Sequence, residues 1–434
     1  MNDGWFRSRW VFVVIMFLFL FFHQLLGIII EPITMAFRST STLSDGWFDF
    51  TWPVDLIFAM ILYLVLGFLF DRFQRIRLLS LSGFLWGVSV WLMSFAPTFS
   101  TFNLSKATSG VGYASHSGIL ATVGDFFKPT NRGKILGLLL LAQPLGLLFA
   151  LALPESFITA YWRFILFVLG AISLILTILI QLFIREPRRG ATEPALRDIN
   201  ITGTYQFDWD ITQDALKQLS LIRMYVIVFL STLPWMILPA GILGYLVEFP
   251  DLQSKVLNFI WLPTIVGIAL GFPLGGFLGD YLFRYYKNGR LFSALLGLVI
   301  PPICLYTSLN IQNVEGQGFS ICILLMGFFM AFTLPNLFAA IMDIILPELR
   351  ASAFAVALLF QAISVLISPS LYSFFQSTLG RVNALLWICI GAWVICTVVL
   401  IRLFSSIPKD IENYRRHMAY RAHLEARLQR PQAG

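Results

Sequence analysis

The side chains able to do chemistry in this chain stand inside apolar runs. His23 and Gln24 interrupt LFLFFHQLLGIIIEPI (17–32), and Tyr113 and His116 interrupt GVGYASHS (110–117). Imidazole titrates nearest to physiological pH, so His23 is the residue best suited to carry a proton. Lys106, Tyr113 and Ser117 are spaced by seven and four residues and share one helix face, with His116 one turn from Tyr113. An ammonium at Lys106 would draw in negative charge, and the His23, Tyr113 and His116 region would supply a polar floor. Trp235 beside Pro234, Asn336 after Pro335, Gln143 before Pro144, and Gln361 are further polar or aromatic groups at membrane depth. For most of these side chains the alternative is a plain hydrogen bond between helices. For Lys106 the alternative is snorkelling to headgroups.

The solvent around these groups follows from composition. Of 434 residues 58% are hydrophobic and only 12% charged, about half the charge of a soluble domain. Runs of roughly 20 apolar residues are needed to cross a bilayer. Twelve are expected: 10–31, 50–71, 78–100, 102–126, 133–154, 161–184, 222–248, 256–279, 291–310, 319–345, 351–375 and 382–404. The first is read as a retained helix, since no small-residue cleavage site follows it. The fold class is therefore an all-α polytopic membrane protein. It divides into a six-helix bundle (1–184), a linker (185–220), a second six-helix bundle (221–404) and a basic tail (405–434). For the tail, a helix lying on anionic headgroups and a solvated charged segment stay open. The acidic FDWDITQD of the linker is expected as a short surface helix. Sequons at Asn103 and Asn200 carry no expectation of glycosylation. The four cysteines lie in apolar runs without metal spacing.

All but five of the 30 Lys and Arg residues fall on the side that holds both termini, the exceptions being Arg38, Lys106, Arg163, Lys255 and Arg381. By the positive-inside rule both termini face the cytoplasm. The net charge of +7 then reflects topology, and no nucleic-acid partner is expected.

The halves repeat. GFLFDRFQRIR (67–77) and GFLGDYLFRYYKNGR (276–290) both give Gly, three residues, Asp and then basic residues. ATVGDFFKPTNR (121–132) and AAIMDIILPELR (339–350) both read Ala-x3-Asp-x3-Pro-x2-Arg. Asp125 and Arg132 thus answer to Asp343 and Arg350, and Gln143 and Gln361 stand eleven residues beyond each Arg. Two motifs at equivalent places indicate duplication, and a duplicated bundle suggests alternating access around a central site. The expected cytoplasmic gate comprises Gly67, Asp71, Arg72, Asp125, Arg132, Gly276, Asp280, Arg284, Asp343 and Arg350. The competing reading of these charges is topology-setting alone.

These motifs resemble the major facilitator superfamily across essentially the whole chain. Within it the sequence looks most like the Spinster-like branch, through GVGYASHS, YWRF (161–164), REPRRG (185–190), LGGFLGDYLFR (274–284) and LPELRASAFAV (346–356). The resemblance implies that helices one, four, seven and ten line a central cavity. It also implies departures. His23-Gln24 stand where that branch carries Asp-Arg, Lys106 stands for an Arg and Tyr113 for a Glu. The branch's His and Gly-Asp are absent from FQAISVLISPS (360–370).

The expectation is a secondary active transporter that moves a small organic solute, amphipathic or anionic and lipid-like, by rocker-switch alternating access, with proton coupling left open. The alternatives are an uncoupled facilitator and a transport-inactive receptor or scaffold. No P-loop, HExxH or GxSxG occurs, so no enzyme, cofactor or metal is expected. Expected partners are the small-molecule or lipid-like substrate and membrane lipids. A monomer in the cell membrane is expected.

Overall fold

A computed structural model describes residues 3–40, 53–196, 215–246, 260–311 and 317–428. The acidic FDWDITQD segment and Asn200 lie outside the described residues. Fifteen α-helices are named here in chain order. They are α1 (Asp3–Thr40), α2 (Val54–Arg72), α3 (Arg75–Phe95), α4 (Phe99–Ser109), α5 (Val111–Phe126), α6 (Arg132–Leu140), α7 (Ala142–Ala152) and α8 (Glu155–Phe183). Then come α9 (Leu219–Leu246), α10 (Leu262–Phe283), α11 (Gly289–Leu309), α12 (Gln317–Met330), α13 (Thr333–Ile344), α14 (Arg350–Leu379) and α15 (Arg381–Leu428). Among the described residues eleven helical stretches are long and apolar enough to cross a membrane.

The span expected at 102–126 is absent from those eleven because it is less apolar, its first part FSTFNLSKATS being mostly Ser, Thr, Asn and Lys, and it forms two helices. Ser105, Thr108 and Ser109 turn their hydroxyls back onto the carbonyls of Thr101, Ser105 and Lys106. Such bonds compete with the helical ladder and bend it. The chain then breaks at Gly110, whose Cα faces the backbone of Asp55 and Ala59 too closely to admit a side chain. Two other breaks have proline as their cause. Pro144 cannot bond Leu140 and Pro335 cannot bond Ala331, so α6 gives way to α7 and α12 to α13 just upstream of each ring.

Contacts divide the chain into two compact units, Met1–Leu120 with Leu138–Glu186, and Ala121–Gly137 with Pro187–Gly434. Each unit shows the same pairing scheme. In the first, α1 packs on α7 and α8, α2 on α3 and α4, and α3 on α4 and α8. In the second, α9 packs on α14 and α15, α10 on α11 and α12, and α11 on α12 and α15. The duplicated motifs therefore sit on a duplicated helix arrangement. After each Ala-x3-Asp-x3-Pro-x2-Arg proline the backbone makes one 3-10 turn, Pro129–Asn131 and Pro347–Leu349, before the Arg opens the next helix.

The glycine stripe on α10 is a packing device. A Cβ on Gly267 or Gly271 would strike the carbonyls of Leu324 or Phe328 on α12. The last helix does not stop at 404. It continues through Pro408 to Leu428, 48 residues in all, and the extension buries Ile407, Ile411, Tyr414, Met418 and Arg421 on one face while Lys409, Arg415 and Arg416 stay exposed. Tyr414 and Met418 pack on Leu196 of the linker, so the tail is neither wholly solvated nor laid only on lipid. Close helix contact predicts that Gly271→Val costs about 1–3 kcal/mol or more through overpacking. A lowered thermal midpoint of the detergent-solubilised protein is the check.

Candidate functional site

In the first unit α1 and α5 bring three of the expected polar groups together with one the sequence did not single out. The His23 ring lies 4.2 Å from Tyr113, 5.0 Å from His116 and 5.3 Å from Trp86 between centroids. Phe19, one turn back on α1, stacks on His23 at 6.2 Å and meets Trp86 edge-on at 5.1 Å. Gly112 lets the imidazole and indole approach α5, since a Cβ there would meet both rings. His23 is 4% exposed, and the His116 Nε2 atom is buried without a hydrogen-bond partner. Trp86 was recognisable only as one of many aromatics on α3. Its role comes from the position of α3 beside α1 and α5.

Lys106 sits in α4, 2% exposed, with its Nζ 4.0 Å from the Glu31 carboxylate of α1. Asp55, at the start of α2, lies within electrostatic reach of both. The ammonium is thus held in the protein rather than extended to solvent. Gln24 presents its stem to Gly146 of α7, and Gln143 is half-buried on that helix.

The second unit holds the other expected groups apart. Trp235 stacks flat on Phe272 at 5.9 Å. Asn336 is 1% exposed and donates its amide to Gly275 O (2.9 Å), Ser293 Oγ (3.0 Å) and Phe332 O (2.8 Å), tying α10, α11 and α13. Gln361 is half-buried on α14.

The densest chemistry lies at the end of the second unit where the repeated Asp and Arg residues meet. Arg132 and Arg350 are fully buried, at 0% exposure. Each faces the aspartate of the other repeat: Arg132 to Asp343 at 3.6 Å, and Arg350 to Asp125 at 3.6 Å. Both also grip the same oxygen of Glu193 in the linker, Arg132 at 2.5 Å. Arg132 additionally bonds Gly124 O and Phe127 O, and Arg350 bonds Met342 O, the residue equivalent to Gly124. Burial opposes the charge on Glu193, but Arg132 and Arg350 outweigh it and hold the carboxyl down at about 2.

The Gly-x3-Asp motif of the second repeat feeds the same cluster. Asp280 accepts the N–H groups of Gly133 and Lys134 at 3.0 and 2.9 Å, capping the positive end of α6. Gly276 and Gly133 meet backbone to backbone, with no room for a Cβ on either. Arg290 bridges Asp280 (3.0 Å), Asp343 and the Pro129 carbonyl. In the first unit the buried pair of the motif is Asp71 with Arg75 at 2.8 Å, both at 0% exposure, and Gly67 is buried on α2. Glu186 there accepts the Arg75 and Ile76 N–H groups at the start of α3. Arg72 is exposed over the Phe68 and Phe73 rings, and Arg284 is exposed at the end of α10. The buried basic partners are therefore Arg75 and Arg290, three and six residues further on. Spacing alone ranks adjacent arginines equally, and Glu193 carried no motif at all.

Comparison with known proteins bears on the family and the fold. The family model for the Major Facilitator Superfamily matches residues 11–369. The chain is similar to the protein spinster of Drosophila melanogaster, at 26% identity over 322 residues, 72% of this chain and 52% of that protein. It is also similar to the sphingosine-1-phosphate transporter SPNS2 of Danio rerio, at 33% identity over 134 residues, 30% of this chain and 27% of that protein. The chain thus spans about half, or less, of the length of these relatives. Among solved structures it resembles a bacterial homologue of the iron transporter ferroportin, with a TM-score of 0.68 at 15% identity, covering 92% of this chain and all of that one.

Removing one side of a buried ion pair strands the other charge, at about 3–5 kcal/mol. Arg350→Gln is expected to lower the thermal midpoint steeply, whereas Arg72→Gln and Arg284→Gln, both exposed, shift stability by about 0.5 kcal/mol or less. A folded-state value near 2 means that the Glu193 contribution is complete above its ordinary 4.5 and is lost only as pH falls below that. The stability gap between wild type and Glu193→Gln should therefore be constant from pH 8 to 5 and narrow below 4.5, as read by thermal melts across pH.

Proposed function

Because the chain belongs to the Major Facilitator Superfamily, an integral, multi-pass, non-enzymatic transporter family, we propose that it is a secondary transporter for a small organic solute, amphipathic or anionic and lipid-like. The proposed cycle is alternating access between an N-terminal bundle (1–184) and a C-terminal bundle (221–404), joined by the linker. The observation that carries this reading is the exchange of partners between the two repeats, Asp125 with Arg350 and Asp343 with Arg132. Each pair joins a segment of one repeat to a segment of the other, so all must part for that end to open. The charge asymmetry supports placing this end at the cytoplasm with both termini, in a cell membrane.

The lipid-like substrate is supported by the name of the zebrafish relative, a sphingosine-1-phosphate transporter. It is also supported by the pairing of a buried ammonium, Lys106, with an aromatic cluster on the same unit. Lys106 would meet an anionic headgroup, and the rings around His23 its neighbouring groups. Trp235 would meet the apolar part.

A second reading, uncoupled facilitation, is favoured by the ring contacts of His23. They are Phe19, Trp86, Tyr113 and His116, and among the described residues His23 forms no ion pair with a carboxylate. Proteoliposome uptake of a lysolipid phosphate separates the two. Coupled transport predicts that an imposed pH gradient accelerates uptake and that His23→Ala abolishes the acceleration. Full-rate counterflow without any gradient, insensitive to His23→Ala, would establish the facilitator. Lys106→Met is expected to weaken uptake by roughly tenfold or more in either case, the scale of one lost charge-assisted contact. Unchanged uptake would remove Lys106 from the substrate path.

A further inference from the structure

The two gating arginines have closer company than the aspartates of the repeats. Arg132 reaches Asp343 at 3.6 Å but Glu193 at 2.5 Å. Arg350 reaches Asp125 at 3.6 Å and also makes a shorter contact with the same Glu193 oxygen. Glu193 is 2% exposed and belongs to neither duplicated motif. Two guanidinium groups at 0% exposure repel each other in a site with little water to screen them. A carboxylate placed between them turns that repulsion into a bridge.

The linker is built to deliver this one side chain. Gly190 adopts φ +66°, a conformation that L side chains rarely take, and its N–H donates to Asp125 Oδ1 at 3.0 Å. Thr192 donates its hydroxyl to Gly124 O and Phe127 O at 2.9 and 3.0 Å. Arg188 reaches forward to Leu196 O at 2.8 Å, closing the segment on itself. From behind, Leu196 packs on Tyr414 and Met418 of the α15 extension. The extension is fixed in turn by Arg421 to Glu348 at 2.8 Å, buried on both sides. The Tyr414 hydroxyl accepts from Arg350 Nη2 at 3.4 Å.

We infer that Glu193, delivered by the linker and held in place by the C-terminal helix, is a positioning residue that clamps both gating arginines and restrains opening of this end. The inference rests on the gating reading of Arg132 and Arg350 and adds to it a separate brake. The gate then opens only when Glu193 leaves at least one arginine, and the tail sets how readily it does so.

Hydrogen–deuterium exchange on the whole chain tests this, read on peptides spanning 129–137 and 347–352, with 83–95 of α3, a segment of the first unit, as the control. Glu193→Gln keeps the shape and removes the charge. It is expected to raise exchange in the two gate peptides by about tenfold, the scale of an ordinary coupling between sites, and to leave 83–95 unchanged. Glu193→Asp, which restores the charge, should bring exchange back to within about threefold of wild type by the same measure. Met418→Ala loosens the cluster behind the linker without touching a charge, and should move the same peptides in the same direction by less. If Glu193→Gln leaves the gate peptides at wild-type exchange while Arg350→Gln raises them, the clamp is overturned and the gate stands. If neither variant changes them, both are overturned. A rise from Glu193→Gln that also appears in 83–95, or that Glu193→Asp fails to reverse, assigns Glu193 to general stability and overturns the clamp. No response to Met418→Ala overturns the part given to the tail.

Discussion

Two arginines that cannot reach water govern the architecture of the second unit. Arg132 and Arg350 each open a helix after a 3-10 turn, and each is buried completely. A buried guanidinium must find acceptors for its five donors and at least one negative charge, or the fold is strongly penalised. Three backbone carbonyls and Glu193 accept hydrogen bonds from them and two aspartates add negative charge at 3.6 Å. Among the described residues Arg132 Nη1 and Arg350 Nε and Nη1 are left without an acceptor. Bringing these partners together requires the end of α5, the start of α14, the linker and the C-terminal helix to converge at one point. Contacts accordingly group residues 121–137, from the first sequence repeat, with the second unit.

The polar groups at membrane depth divide into two kinds. Asn336 shares its amide hydrogens among a carbonyl one turn back and two acceptors on α10 and α11, and Ser and Thr hydroxyls spend theirs on carbonyls one turn back. Such groups hold or bend helices. His23, Tyr113, His116 and Trp86 form a cluster of rings in which a buried imidazole nitrogen of His116 has no partner. Asn336 Oδ1 is likewise buried without a partner, so the two kinds differ in the company the side chain keeps, rings in one case and backbone carbonyls in the other. Lys106 likewise keeps its charge inside the protein, within reach of Glu31 and Asp55.

Much of the fold was legible from the sequence because its causes are local. Eleven of the twelve apolar runs fall on spanning helices, the last of which runs well past 404, and the breaks between α4 and α5, α6 and α7, and α12 and α13 fall at glycine or just before proline. The tail was harder. Its buried positions recur at helical spacing, Ile407, Ile411, Tyr414, Met418 and Arg421, but Leu196 of the linker receives Tyr414 and Met418 and Glu348 receives Arg421, partners that no periodicity reveals. The site was legible as a set of residue types and less so as partnerships. Arg72 and Arg284 stand closest to their motif aspartates in sequence, yet Arg75 and Arg290 fill the buried positions.

By itself the sequence determined the solvent, eleven of the twelve expected spans, the duplication and the family, because composition and motif spacing act through nearest neighbours along the chain. Tertiary structure alone decided that the aspartates pair across the repeats, that Trp86 joins His23, and that an unremarked glutamate sits between two arginines. Those choices depend on which segments of distant sequence reach the same buried point. The cost of an uncompensated charge there selects the partner, and that cost does not exist until the chain has folded around it.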